Sequence, residues 1–120
     1  MARILLADDE AATRELLKRA LSSDGHDIIV AEDGQEALDH LQKSSGSFDL
    51  LISDVQMPVL DGISLAEKAL AGTPKLPIIL MSAHADGFAR GDALRPHLKA
   101  MLTKPFTLEQ IRATVKAALT

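Results

Sequence analysis

Five short apolar runs, each followed by a polar segment, organise the chain. Four of them are continuously apolar and the fifth is weaker; they occupy residues 4–7, 28–30, 50–52, 78–81 and 100–102. A run that is apolar at every position, and not at every second one, is typical of a strand covered on both faces, as in a parallel sheet. The pattern therefore predicts five buried strands.

The segments that follow these runs have the period of amphipathic helices. Asp33 with Glu36 and Thr107 with Gln110 have the spacing of capping boxes, which mark helix starts. The segment 85–95 is the poorest helix because it carries two glycines, each costing about 1 kcal/mol relative to Ala. Strand and helix alternate five times, so right-handed crossovers predict an α/β fold, an open parallel sheet with helices on both faces.

Composition and charge narrow the classes of function. The 120 residues suit one domain, and the net charge of −4 gives no general attraction to nucleic acid or to an anionic membrane. The aromatic residues are Phe48, Phe88 and Phe106, with no Trp or Tyr, which argues against an aromatic platform that stacks nucleic-acid bases. Cysteine is absent, which excludes disulfides and thiolate chemistry. No apolar run approaches the roughly 20 residues of a membrane span, and we expect a soluble cytoplasmic protein.

Polar residues follow the predicted strands at the edge where function gathers in such sheets. They are Asp8 and Asp9 after the first strand, Asp54 at the end of the third, Ser82 at the end of the fourth and Lys104 after the fifth. Clustered carboxylates repel unless one protonates or a cation binds, and oxygen ligands without His or Cys favour Mg²⁺. A metal, a lysine and a hydroxyl beside a carboxylate nucleophile suit phosphoryl transfer, and Asp54 is the best nucleophile candidate.

On these residues the chain resembles the CheY-like receiver domain of two-component response regulators. The motifs that carry the resemblance are DDE at 8–10, SDVQMPVLDG at 53–62, ILMSA at 79–83 and TKPF at 103–106. The resemblance covers the whole chain and implies a flavodoxin-like (βα)5 doubly wound fold with strand order 2-1-3-4-5. It also implies a single receiver domain over residues 1–120 with no output domain, and a cis peptide bond between Lys104 and Pro105.

The resemblance assigns roles around the acceptor. Asp54 is implied to take a phosphoryl group from a phosphohistidine on a histidine kinase or a histidine phosphotransferase. Asp9 and Asp54 are implied to bind Mg²⁺, or Mn²⁺ in its place, together with the backbone carbonyl of Gln56, and Asp8 is implied to act through water. The chain would then catalyse only its own phosphorylation and dephosphorylation and would not be an enzyme with a separate substrate.

A switch is implied as well. Ser82 and Lys104 would contact the phosphoryl oxygens, and Ser82 would turn towards them and move the face of the fourth helix, fifth strand and fifth helix. Family members often carry an aromatic residue three positions before this lysine, where Met101 stands. Met is flexible and could repack in its place. His84, two residues after Ser82, is close enough to modulate the lifetime of the phosphorylated form.

The output is expected through contact with a partner protein, because the receiver would fill the chain. Three stretches, RILLADDEAATRELLKRAL, FDLLISDVQMPVLDGISLAEKAL and LTKPFTLEQIR, are similar to the CpdR-type regulators of alphaproteobacterial cell-cycle control. That resemblance implies a phosphorylation-controlled adaptor for the ClpXP protease, with ClpX as effector. The alternative is a receiver that carries phosphate in a relay or docks on another effector. We expect a monomer.

Two surfaces are predicted to dock partners. The first helix lies beside the acidic cluster and would face a phosphodonor, and the predicted output side is the face of the fourth helix, fifth strand and fifth helix. The residues assigned to the donor surface are Arg14, Leu17, Lys18 and Leu21, and those assigned to the output side are Arg90, Arg95 and Lys116.

Three other interpretations stay open. A phosphatase of the haloacid-dehalogenase kind also uses an Asp nucleophile with Mg²⁺, but it needs a second acid two residues on, where Gln56 stands. A flavin-binding module needs a Ser-, Thr- or Gly-rich phosphate loop after the first strand, where this chain has the acids at 8–10. A receiver-like domain without phosphorylation would only bind partners.

Overall fold

A five-stranded parallel sheet forms the centre of the computed structural model, which describes residues 2–43, 47–83 and 94–120. Its strands are β1 (Arg3–Ala7), β2 (Asp27–Ala31), β3 (Leu50–Asp54), β4 (Ile78–Ser82) and β5 (Ala100–Thr103). They lie in the order β2-β1-β3-β4-β5, and every pair is parallel. The predicted strands and the predicted order 2-1-3-4-5 are therefore confirmed.

Helices cover both faces of the sheet. They are α1 (Ala11–Ser23), α2 (Gly34–Lys43), α3 (Gly62–Gly72) and α4 (Leu108–Leu119), the last of which is the predicted fifth helix. Leu5 belongs to the core under α2 and α3, whereas its neighbours Ile4 and Leu6 belong to the core under α1 and α4. Successive strand residues thus enter two separate apolar layers, which is why the apolar run within each strand is continuous and not alternating.

Side-chain caps set where three of the helices begin. Asp33 and Asp61 accept hydrogen bonds from the backbone N–H groups of Glu36 and Ser64, each at 2.8 Å, ahead of α2 and α3. Ahead of α4, Thr107 and Gln110 form the predicted reciprocal capping box. These bonds satisfy N–H groups that have no partner within a helix.

The predicted helix at 85–95 lies almost entirely outside the described residues, and so do His84, Phe88 and Arg90. Residues 94–97, the described part that borders it, form one turn of 3₁₀ helix. None of the helices in the described parts of the chain has the length and apolar character of a membrane span.

The loop after β3 turns sharply so that α3 begins directly beside Asp54. The N–H of Leu60 donates to the carbonyl of Pro58 at 2.8 Å across Val59, whose φ of 71° is rare for a β-branched residue. At the start of α3, a Cβ on Gly62 would collide with the carbonyl oxygen of Asp54. Only glycine allows this close approach, which ties the helix start to the end of β3.

Candidate functional site

The sheet brings the predicted site residues to one edge. Asp54 and Ser82 are the last residues of β3 and β4, and Asp8 and Lys104 come directly after β1 and β5. The N–H of Lys104 donates to the carbonyl of Ser82 at 2.7 Å, which continues the ladder one step beyond the strand. The Lys104–Pro105 peptide bond is cis, as expected. The carboxyl ends of four parallel strands therefore carry the site.

Lys104 joins the carboxylates of this edge. Its Nζ lies 3.1 Å from Asp8 Oδ2 and 3.2 Å from Asp54 Oδ2, and it donates a hydrogen bond to each. Glu10 Oε1 lies farther away, at 3.7 Å, on an exposed side chain. Asp8 is fully buried and Asp54 is 6% exposed, so two carboxylates lie inside the protein around one ammonium group.

Burial and charge shift the protonation of the central pair. Burial raises the pKa of Asp54 above its usual value; the nearby Asp8 and Asp9 act in the same direction, and Lys104 only partly opposes them. Burial alone would lower the pKa of the Lys104 ammonium, but the charges and hydrogen bonds of Asp8 and Asp54 outweigh it and raise that pKa. The lysine is therefore held charged, and the site carries an excess of negative charge.

The residues present fit a hard cation. One carboxylate oxygen from each of Asp8, Asp9 and Asp54 lies within 4.8 Å of the others. Asp54 Oδ1 is buried and has no hydrogen-bond partner among the described residues. Asp9 is exposed, which leaves this side open for the waters that Mg²⁺ retains. The oxygen-only donor set and the orphaned Asp54 oxygen both suit Mg²⁺; the part assigned to the Gln56 carbonyl stays a prediction.

Ser82 has a partner that sequence reasoning missed. Its side chain is fully buried, and its hydroxyl donates to Oε1 of Gln56 at 3.1 Å. In the sequence-based assignment, Gln56 contributes only its backbone carbonyl to the site, because the orientation of a glutamine amide cannot be predicted from the residue pattern. Met101, the other predicted switch residue, is half-buried and packs against the core under α2 and α3.

The predicted donor surface needs correction. Leu17 and Leu21 are 1% and 0% exposed and pack into the core under α1 and α4, so assigning them to a docking surface was wrong. Leu16, which is 52% exposed, is the apolar residue that α1 presents to solvent. It lines a groove of about 470 Å³ between α1 and the segment after β5, together with Phe106 and Leu108.

Comparison with known proteins agrees with this geometry. The family profile described as the response regulator receiver domain matches residues 4–116. The chain belongs to the response regulator receiver family. Among curated relatives of this receiver, response regulator MprA of Mycolicibacterium vanbaalenii is 38% identical over 117 residues, which are 98% of this chain and 50% of the relative. The receiver thus spans about half the length of the curated relatives it matches.

Solved receiver structures superpose closely on this one. The response regulator TrrA of Thermotoga maritima, solved in complex with Mg²⁺ and BeF, has a TM-score of 0.85 and 35% identity over 99% of this chain and 100% of its own. The receiver domain of the hybrid histidine kinase CckA has a TM-score of 0.83 and 34% identity over 98% of this chain and 99% of its own. Both support the flavodoxin-like receiver fold.

Asp54→Asn is expected to stabilise the metal-free protein at neutral pH. Because the folded-state pKa of Asp54 is raised, its ionisation destabilises the folded state as the pH rises through that pKa. The gain is expected to be on the order of 1 kcal/mol, or about 4 °C in Tm, at pH 7 and to vanish below about pH 4. Thermal unfolding in a chelator across this pH range measures it.

Glu67→Gln is the control, since it neutralises an exposed carboxylate on α3. It is expected to change the free energy of unfolding by less than about 0.5 kcal/mol. A lower Tm for Asp54→Asn at every pH would show that the Lys104–Asp54 ion pair outweighs the burial of the carboxylate.

Proposed function

We propose that this receiver accepts a phosphoryl group on Asp54 in a Mg²⁺-dependent reaction with a phosphohistidine on a partner protein. The proposal rests on the different contacts that the two carboxylate oxygens of Asp54 make. Lys104 holds Oδ2, whereas Oδ1 is buried without a hydrogen-bond partner among the described residues. A carboxylate that has one oxygen paired with a cation and the other unpaired is suited to nucleophilic attack.

The transfer step moves one phosphoryl group. A carboxylate oxygen of Asp54 forms the new P–O bond, the P–N bond to the donor imidazole breaks, and the imidazole leaves with the electron pair. Lys104, already within hydrogen-bond distance of Asp54, stabilises the charge on the phosphoryl oxygens. Asp8, Asp9 and Asp54 would hold Mg²⁺, or Mn²⁺ in its place, which when bound neutralises further charge on the phosphoryl group.

The proposed switch begins at Ser82. Phosphorylation adds about −1.5 to −2 charge units and three acceptor oxygens at Asp54, which compete with Gln56 for the Ser82 hydroxyl. Ser82 ends β4, and Leu80 of β4 pairs with Met101 of β5. We propose that movement of the β4 end passes to β5 through this pair, with Met101 repacking, towards the face that includes α4. We also propose that His84 modulates the lifetime of phosphorylated Asp54.

The groove beside α1 supports a protein phosphodonor. Lys104 lines it, and Leu16 and Phe106 make its lining largely apolar. An apolar surface that leads to the acceptor is suited to the helix that carries a phosphohistidine on a kinase or phosphotransferase. The donor and the receiver would act in the cytoplasm.

The output is proposed to be contact with an effector protein. Control of the ClpXP protease through ClpX is supported by the likeness of three stretches to CpdR-type regulators. A relay role, in which Asp54 passes the phosphoryl group on, is supported by the 34% identity to the receiver of a hybrid histidine kinase. Binding of purified ClpX to only one phosphorylation state separates the two, since a relay intermediate would transfer the group to a histidine and leave ClpX unbound.

Incubation with a small phosphodonor and Mg²⁺ is expected to add one phosphoryl group to the wild type and none to Asp54→Asn. The mass of the intact protein measures the addition, and chelation of Mg²⁺ is expected to abolish it. Asp39→Asn, on the exposed surface of α2, is the matched control and is expected to be phosphorylated like the wild type. Equal phosphorylation of Asp54→Asn would disprove the assignment of the acceptor.

Incubation with a phosphate ester and Mg²⁺ tests the competing phosphatase. Gln56 leaves that chemistry without its second acid, so we propose that the chain turns over no separate substrate. Steady release of phosphate from a phosphate ester, at a rate that Asp54→Asn abolishes, would contradict this and favour a phosphatase.

Leu16→Glu is expected to slow transfer from a phosphohistidine protein by roughly tenfold, because it places a charge in the apolar groove. Lys18→Glu is expected to slow it as well. The rate with a small phosphodonor is expected to stay the same, because that donor needs no docking surface. Rates are measured by following the labelled phosphoryl group from donor to receiver.

Lys68→Glu makes the same charge reversal as Lys18→Glu, but on the exposed side of α3, and serves as the control. Equal slowing by Lys68→Glu, or unchanged kinetics for Leu16→Glu, would remove the donor surface from the groove.

A further inference from the structure

Arg14 links two loops at the edge of the acidic site. Its Nη1 donates to the backbone carbonyl of Asp8 at 2.8 Å, and its Nη2 lies 3.6 Å from Oε1 of Glu32. Asp8 belongs to the loop after β1, and Glu32 follows β2. The Arg14 side chain is only 14% exposed, while that of Glu32 is 71% exposed. The stronger of the two contacts is therefore the partly buried one to the Asp8 backbone.

The backbone and side chain of Asp8 are held at four points. Its N–H donates to the carbonyl of Ala31 at 3.2 Å, and its carbonyl accepts from Arg14. Its two carboxylate oxygens accept from the N–H of Glu10 at 2.9 Å and from Lys104 at 3.1 Å. Arg14 on α1 thus provides one of the four hydrogen bonds that hold Asp8 in place.

The carbonyl of Asp8 and the N–H of Asp9 share one planar peptide group. Fixing the carbonyl oxygen consequently fixes the orientation of this plane and limits the directions in which the Asp9 side chain can point. That direction decides whether the exposed Asp9 carboxylate reaches the oxygens of Asp8 and Asp54, as it does here within 4.8 Å.

We propose that Arg14 is a positioning residue for the acidic metal site, through its hydrogen bond to the Asp8 carbonyl. The inference rests on the metal site of the proposed function, but not on phosphoryl transfer. A partner of this kind around metal ligands commonly changes metal affinity by about tenfold or more when it is removed.

The positive charge of Arg14 and its hydrogen bond to Asp8 are expected to have opposite effects on the affinity for Mg²⁺, so variants can distinguish them. A cation near the site repels Mg²⁺, so removal of the charge alone would tighten binding. Loss of the hydrogen bond to Asp8 would weaken it. Lysine keeps the charge but lacks the planar fork that reaches both Asp8 and Glu32, so Arg14→Lys separates the two effects.

The experiment is a Mg²⁺ titration of thermal unfolding for the full chain, since a ligand that binds only the folded state raises Tm according to its affinity. Far-UV circular dichroism is the signal, because the chain has no Trp or Tyr. Wild type, Arg14→Lys and Arg14→Gln are compared with Arg19→Lys and Arg19→Gln, which alter an exposed arginine of the same helix. The unfolding curve in chelator shows that each variant folds and gives its metal-free Tm separately.

Arg14→Lys is expected to raise the Mg²⁺ concentration for half-saturation by about tenfold. Arg14→Gln is expected to raise it by less, because loss of the positive charge offsets part of the effect, and the Arg19 variants are expected to match the wild type. Wild-type affinity in Arg14→Lys, with tighter binding in Arg14→Gln, would overturn the proposal and leave Arg14 as a charge only. If Arg14→Gln does not fold, Arg14→Lys decides the outcome alone. A wild type whose Tm does not respond to Mg²⁺ would overturn the metal site itself and this inference with it.

Discussion

The ammonium of Lys104, held between the carboxylates of Asp8 and Asp54, is the interaction on which the site depends. Both acids are almost inaccessible to water, and buried carboxylates are costly unless they are paired. Lys104 reaches them only because β5 lies beside β4 and the backbone continues one residue past the strand. The topology of the sheet thus determines which charged groups meet at the site.

Much of this arrangement could be predicted from the sequence. The apolar runs located all five strands, and the strand ends carried the acids, the serine and the lysine that the structure brings together. The failures have physical causes. Leu16 and Leu17 are adjacent and both apolar, so periodicity alone does not say which faces the core, and Leu17 was wrongly assigned to the surface. The contacts of Gln56 and Arg14 depend on side-chain rotamers, which no residue pattern encodes.

The site remains short of positive charge despite its lysine. The carboxylates of Asp8, Asp9 and Asp54 outnumber the one ammonium of Lys104, and burial together with the two neighbouring acids raises the pKa of Asp54. The proposed metal would reduce this imbalance by adding positive charge. The proposed phosphoryl group would add negative charge and acceptor oxygens that compete with Gln56 for the hydroxyl of Ser82. Signalling would then be a change in the groups that contact Asp54, transmitted by the end of β4.

If Lys104 stabilises the buried acids until a cation shares that role, removal of its charge must destabilise the metal-free protein. Thermal unfolding of Lys104→Met, in chelator and in saturating Mg²⁺, measures this effect, since methionine keeps the apolar stem and removes the charge. The free energy of unfolding is expected to fall by about 2 kcal/mol or more in chelator, and this loss is expected to shrink when Mg²⁺ is added. A Lys104→Met variant as stable as the wild type in chelator would show that the ammonium does not stabilise the site.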